Sequence, residues 1–158
     1  LPFIPKEEGK VETESRKILG RWEPGRAAVE VHPMRVSATC TRVAVLDGHT
    51  ESVSVSLGRQ AALEEVRAVL RDWPGDPTAR ALPSTPPRWI EVVDAPDRPQ
   101  PRLDRDTHGG MATTVGRLRE DPVLEHGVKF VLVSHNTKLG AARGAVLGAE
   151  LAKSQGLL

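Results

Sequence analysis

Arg42 and His49 stand seven residues apart in the stretch VSATCTRVAVLDGHTESV, residues 36–53. Arginine offers a planar fork of donors that grips a carboxylate through paired hydrogen bonds. Histidine ordinarily titrates close to neutral pH, so it moves protons under mild conditions. A carboxylate clamp beside a proton shuttle is half of an active site. On a straight strand an odd separation sends two side chains to opposite faces. Here the Asp47-Gly48 turn lies between them and leaves convergence open. Taken alone, a surface arginine and an incidental turn histidine explain the pair more simply.

Glu7 and Lys10 are three apart and share a helical face. They suit an ammonium group and an anion, respectively. The plain alternative is a solvated ion pair, which contributes little to stability. Asn136 follows a strand-like run and opens a helix. An amide there is an N-cap, or it faces a ligand beyond the strand's end. Cys40 is read as a packed thiol rather than a nucleophile. It sits mid-strand among small residues, without the cationic niche or helix N-terminus that lowers a thiol's pKa. His32, His108, His126 and His135 lack metal-ligand spacing and read as ordinary polar residues. GGMATTVG lacks the spacing of a phosphate-binding glycine loop. No metal site is expected.

The elements that must carry these groups follow from periodicity. Lys6 to Leu19 reads as a helix, with acidic residues early, Arg16 and Lys17 late, and Gly20 as its stop. Residues 21–34 carry Pro24, Gly25 and Pro33 and read as an irregular connection. Arg35 to Val45, rich in Val and Thr, reads as a strand, and Glu51 to Leu57 alternates cleanly as another. Gln60 to Asp72 has apolar residues at helical spacing, and Pro-rich residues 74–87 form a loop. Arg88–Asp94, residues 111–118 and residues 128–135 read as strands. Between the first two lies a long irregular loop, residues 95–110, of the kind that makes contacts or carries function. Residues 137–155 form a helix dense in small residues, expected to pack hard against a partner surface. The fold class is therefore α+β, a mixed β-sheet with flanking helices.

Composition sets the bounds. The chain's 158 residues suit one domain, with 39% apolar and 27% charged residues as in a soluble globular protein. A formal net charge of +1 offers no global field for nucleic acid or a membrane surface. No apolar run approaches the roughly 18 residues that span a bilayer. The start, LPFIPKEEGK, has no charged region ahead of an apolar core and is not read as a signal peptide. It reads as the downstream part of a longer polypeptide. The single cysteine excludes an internal disulfide and favours a reducing compartment.

Six ordered blocks, PFIPKEEGK, ESRKILG, VSATCTRVAVLDGHTESV, RPQPRLDR, GGMATTVGRLR and SHNTKLGAA, together resemble aspartate-semialdehyde dehydrogenase. The likeness is to its carboxyl-terminal dimerisation and substrate domain, in the branch found in archaea and fungi. It implies a glyceraldehyde-3-phosphate dehydrogenase-like C-terminal domain over residues 1–158, with 137–158 packing back towards an N-terminal Rossmann domain that this chain lacks. In the family, a cysteine thiolate on that other domain attacks the aldehyde of aspartate semialdehyde. A hydride passes to NADP, and phosphate releases aspartyl phosphate; biosynthesis runs in reverse. The resemblance implies that His49 transfers protons and Arg42 binds the substrate carboxylate. It implies that Glu7 contacts the substrate amino group, Lys10 the phosphate, and Asn136 the cofactor. It further implies a homodimer or homotetramer in the cytoplasm, acting in lysine, threonine and methionine biosynthesis, with this segment inactive alone. Two departures stand out: Gly9 replaces a frequent acidic residue, and the connection at 21–35 is longer than usual. The alternatives are a malonyl-CoA reductase-like domain on the same scaffold and a non-catalytic dimerisation module.

Overall fold

Residues 2–158 are described by a computed structural model, in which the chain forms two units, one ending at Ala44 and the other spanning Val45–Leu158.

The first unit is built around helix α1 (Glu7–Ile18), with Glu7 and Glu8 in its first turn and Arg16 and Lys17 in its last. That order complements the helix dipole. Contrary to the irregular connection expected at 21–34, strands β1 (Arg21–Glu23) and β2 (Ala28–Glu30) form a small antiparallel hairpin. The same Pro24 and Gly25 that signalled a break form the tight 3-10 turn between them.

The strand expected over Arg35 to Val45 is not there. The segment is extended, but it joins no ladder beyond one antiparallel bridge, Thr41 to Phe3. Its alternate N–H groups take other acceptors. Ala38 donates to Glu12 Oε1 at 3.0 Å and Cys40 to Glu8 Oε1 at 2.9 Å, while Arg42 donates to the Pro2 carbonyl at 2.8 Å. In an extended chain, N–H groups two residues apart point the same way. Side chains four apart lie on one face of a helix. The carboxylates of α1 thus stand in for a neighbouring strand. Cys40 is half-buried rather than a core thiol.

The second unit is organised by a four-stranded sheet in the order β3, β6, β5, β4. These are β3 (His49–Ser56), β4 (Ile90–Val93), β5 (Thr113–Glu120) and β6 (Gly127–Ser134). β6 runs antiparallel to both β3 and β5, and β4 runs parallel to β5, so the sheet is mixed as expected. Val53 and Val55 of β3 turn inward while Ser52, Ser54 and Ser56 face water. The core lies on the central strands, with Val115, Leu118, Val128 and Val133 buried beside Met111 and Ala112. Helix α2 (Leu63–Asp72) packs its apolar stripe on β4 and β5.

The 95–110 segment is more ordered than its prolines suggested. Pro101 starts a one-turn helix, α3 (Pro101–Asp104), where a proline's missing N–H costs nothing. A 3-10 turn follows at Thr107–Gly110. The final helix also departs from the expectation. It opens with a π-turn over Lys138–Ala142 and becomes α4 only at Arg143–Ser154. Glu150 of α4 accepts from the Ser84 N–H at 2.9 Å and the Ser84 hydroxyl at 2.8 Å, tying the helix to the Pro-rich loop. No helix among the described residues is long and apolar enough to cross a membrane.

Candidate functional site

One end of the sheet gathers several chemically competent groups of the second unit. His49 is the first residue of β3 and lies across from Ser134, the last of β6. His135 and Asn136 follow at once, and Thr113 at the start of β5 donates its hydroxyl to Ser134 Oγ at 3.3 Å. His49 is exposed. The residue before it, Gly48, is buried and adopts φ +107°, a conformation open to glycine. Its N–H donates to Asn136 Oδ1 at 2.8 Å. The turn that presents His49 is thereby fastened to the strand-to-helix junction.

Asn136 is therefore no helix N-cap. The N-cap position is Thr137, and the N–H groups of Thr137 and Lys138 lie at 3.3 Å and 3.4 Å from His135 Nδ1, which accepts them. His135 is 4% exposed, and its Nε2 lies 3.6 Å from Asp106 Oδ1. Asp106 also pairs with Lys138 and, at 3.4 Å, with Arg105. The Lys138 hydrogen bond, aided by the neighbouring positive charges, holds the Asp106 carboxyl below the usual carboxylate range. Gly110, at φ +81°, lets the chain pass close by. A Cβ there would stand 2.6 Å from Lys138 Cδ and 2.9 Å from His135 Cδ2.

Beneath this end, Arg98 makes a two-pronged pair with Asp104, one arm at 2.7 Å. The Gln100 N–H adds a third bond to the same carboxylate at 2.6 Å. Asp104 is 2% exposed. Burial pushes its carboxyl up, but the Arg98 and Gln100 hydrogen bonds outweigh that and keep it below the ordinary value. The pair anchors α3, whose Pro101 and whose neighbour Arg105 pack against Gly48.

Three further candidates lie in the first unit. Glu7 and Lys10 face one another across a turn of α1, Oε2 to Nζ 3.9 Å, with both side chains substantially in water. Arg42 is exposed and makes no ion pair among the described residues. The Thr41–Phe3 bridge and the Arg42–Pro2 bond set it beside the segment that enters α1 at Glu7. Glu7, Lys10 and Arg42 thus share one unit, and His49 and Asn136 the other.

Sequence reasoning missed His135, Asp106, Lys138 and the Arg98–Asp104 pair. The available signals were RPQPRLDR, whose one buried acid follows a proline turn, and the position of His135 at a strand's end. Among the described residues no cluster of His, Cys, Asp and Glu is placed to hold a metal ion.

Comparison with known proteins gives consistent findings. A family model described as the semialdehyde dehydrogenase dimerisation domain matches residues 1–139. The aspartate-semialdehyde dehydrogenase of Cryptococcus neoformans is 45% identical over 163 residues, covering 100% of this chain and 44% of that protein. That of Methanothermobacter thermautotrophicus is 46% identical over 151 residues, covering 96% of this chain and 43% of its own length. The crystal structure of aspartate semialdehyde dehydrogenase with NADP from Candida albicans superposes with a TM-score of 0.88. It is 41% identical and covers 100% of this chain and 45% of that one. The chain thus spans less than half the length of the relatives it matches.

Proposed function

Because the chain belongs to the semialdehyde dehydrogenase family, matching its dimerisation domain over residues 1–139, we propose that it is the substrate-binding and dimerisation part of an NADP-dependent aspartate-semialdehyde dehydrogenase. The observation that carries this reading is the end-to-end match at 45% identity to an aspartate-semialdehyde dehydrogenase. In this reading the nucleophilic cysteine and the main cofactor site belong to a Rossmann domain outside these 158 residues. The part described is then inactive alone, and residues 137–158 pack towards that domain. The protein works in the cytoplasm as a homodimer or homotetramer, in amino-acid biosynthesis.

NADP, when bound, accepts the hydride from the substrate carbon. Asn136 fits a role beside it, since its Oδ1 is committed to Gly48 and its amide N–H groups remain to donate. The other residues bind and move protons. Arg42 clamps the substrate carboxylate with its paired guanidinium donors. Glu7 accepts from the substrate ammonium, and Lys10 supplies a positive charge for phosphate. The 3.9 Å spacing of Glu7 and Lys10 suits groups that meet adjacent cationic and anionic parts of one ligand set. His49 takes the proton of the cysteine thiol, so that the thiolate attacks, and returns it in the reverse direction.

The test is steady-state turnover of the full-length protein with aspartate semialdehyde, phosphate and NADP, run against malonyl-CoA with NADPH. The reading requires aspartate semialdehyde to be the better substrate. An ammonium ligand at Glu7 has no use with malonyl-CoA, so faster turnover of malonyl-CoA overturns it.

A further inference from the structure

We propose that His135 is a positioning residue for His49, acting through the Asn136–Gly48 hydrogen bond. The inference rests on the reading of His49 as the proton-transfer group. His135 is 4% exposed, so little of it is open to solvent or to a substrate. Its ring is held on three sides. Nδ1 receives the backbone N–H groups of Thr137 and Lys138. Nε2 faces Asp106 at 3.6 Å. The Cδ2 edge lies against Gly110, where a Cβ would come within 2.9 Å.

These contacts fix the turn that Asn136 begins. With two N–H groups gathered on Nδ1, residues 137 and 138 cannot rotate away without leaving those donors unpaired in a half-buried site. The π-turn continues from the same residue, because the Gly140 N–H donates to the His135 carbonyl at 3.1 Å. Asn136 is thus held from behind, and its Oδ1 is aimed at Gly48. Gly48 in turn delivers His49, which lies opposite Ser134 on β6, the residue just before His135. The proton-transfer histidine is therefore oriented by a second, buried histidine that never touches the reacting atoms. A displacement of about 1 Å at such a group is enough to cost about a hundredfold in rate.

The experiment uses the full-length protein and its His135→Leu, His135→Asn and His49→Ala variants, with two readouts. The first is hydrogen exchange at the Gly48 amide, which needs no turnover. His135→Leu is expected to speed it by about tenfold. His135→Asn, whose Oδ1 takes the place of Nδ1, is expected to restore protection. The second is kcat against KM. His135→Leu is expected to lower kcat by about tenfold or more, with KM for aspartate semialdehyde held within about twofold. In the His49→Ala background the same substitution is expected to lower kcat no further, since the group it orients is gone. Unchanged Gly48 exchange, or the full kcat loss repeated without His49, overturns the proposal. Full activity in His49→Ala alone overturns the reading of His49, and Gly48 exchange still decides whether His135 orients the turn.

Discussion

The carboxamide oxygen of Asn136 accepts the backbone N–H of Gly48 at 2.8 Å, a bond that spans 88 positions of sequence. It joins the approach to β3 with the exit from β6, the two places where the sheet offers chemistry at one end. Asn136→Ala removes the acceptor of the N–H of buried Gly48, at a cost of about 1–3 kcal/mol. Asn136→Asp keeps an acceptor and is expected to lose less. Chemical denaturation of both variants measures the difference, and equal losses would contradict the role of Oδ1.

His49→Ala in the full-length protein is expected to lower kcat by roughly 10²–10⁴-fold, the usual range for loss of a general acid–base group. The exposure of His49 makes a folding defect an inadequate explanation of such a loss. Activity within a few-fold of the parent would instead favour a non-catalytic dimerisation module.

Asp104→Asn breaks the two-pronged pair with Arg98 and leaves a guanidinium facing a neutral amide. The expected loss is about 3 kcal/mol, near the low end for breaking a buried pair. It falls there because 31% of the Arg98 side chain stays in water. Removing both charges, with Arg98→Met and Asp104→Leu together, is expected to cost less than the single change. Thermal unfolding of the two variants and the parent decides this.

Acid sensitivity follows from two buried carboxylates, Asp104 and Asp121. Asp104 and Asp121 both lie below their unfolded values in the folded state. At Asp121 the Val123 N–H is the main cause, with the Ser54 hydroxyl next. A lowered folded pKa means that the stabilisation is present above the unfolded value, about 3.9 for Asp. It is lost as pH falls through the folded value. Stability is therefore expected to hold through neutral pH and to decline below about pH 4, with a shallower decline in Asp104→Asn. Urea midpoints measured from pH 6 to pH 2.5 provide the check.

Glu8→Ala withdraws the acceptor of the Cys40 N–H, and Glu12→Ala that of the Ala38 N–H. Each is expected to raise proteolysis within residues 36–42, while Glu14→Ala on the same helix leaves it unchanged. Glu8→Gln retains an oxygen and is expected to protect nearly as well as the parent.

Much of the second unit was legible in the sequence. The alternation of ESVSVS, the apolar run VKFVLVS and the helical spacing of Leu63, Val66 and Leu70 each survive as β3, β6 and α2. The family resemblance drawn from six sequence blocks is borne out by the match over residues 1–139. The errors share a cause. Residues 35–45 have strand-like composition, but composition does not say whether the hydrogen-bond partner is a strand or two glutamates. The 21–30 hairpin is hidden in the sequence because strands of three residues are too short for a period to show. The junction that holds Asn136 is legible, but its bond to Gly48 is not, since that donor comes from 88 positions away. His135 was passed over because its burial depends on Gly110 and Asp106, which only the fold brings near.

The carboxylate ladder on α1 has a limit built into its pitch. Four helical residues advance about 6.0 Å, whereas two extended residues advance about 6.6 Å. The two scales drift apart by roughly half an ångström at each step, like the graduations of a vernier. Glu12 and Glu8 serve two rungs, and a third at position 4 would fall before the helix begins. There the backbone takes over, and Pro2 receives Arg42. A single residue inserted between Ala38 and Cys40 would break their two-residue spacing, so that only one of the two N–H groups could still face its carboxylate. The segment leading to Arg42 is therefore more tolerant of changed side chains than of changed length.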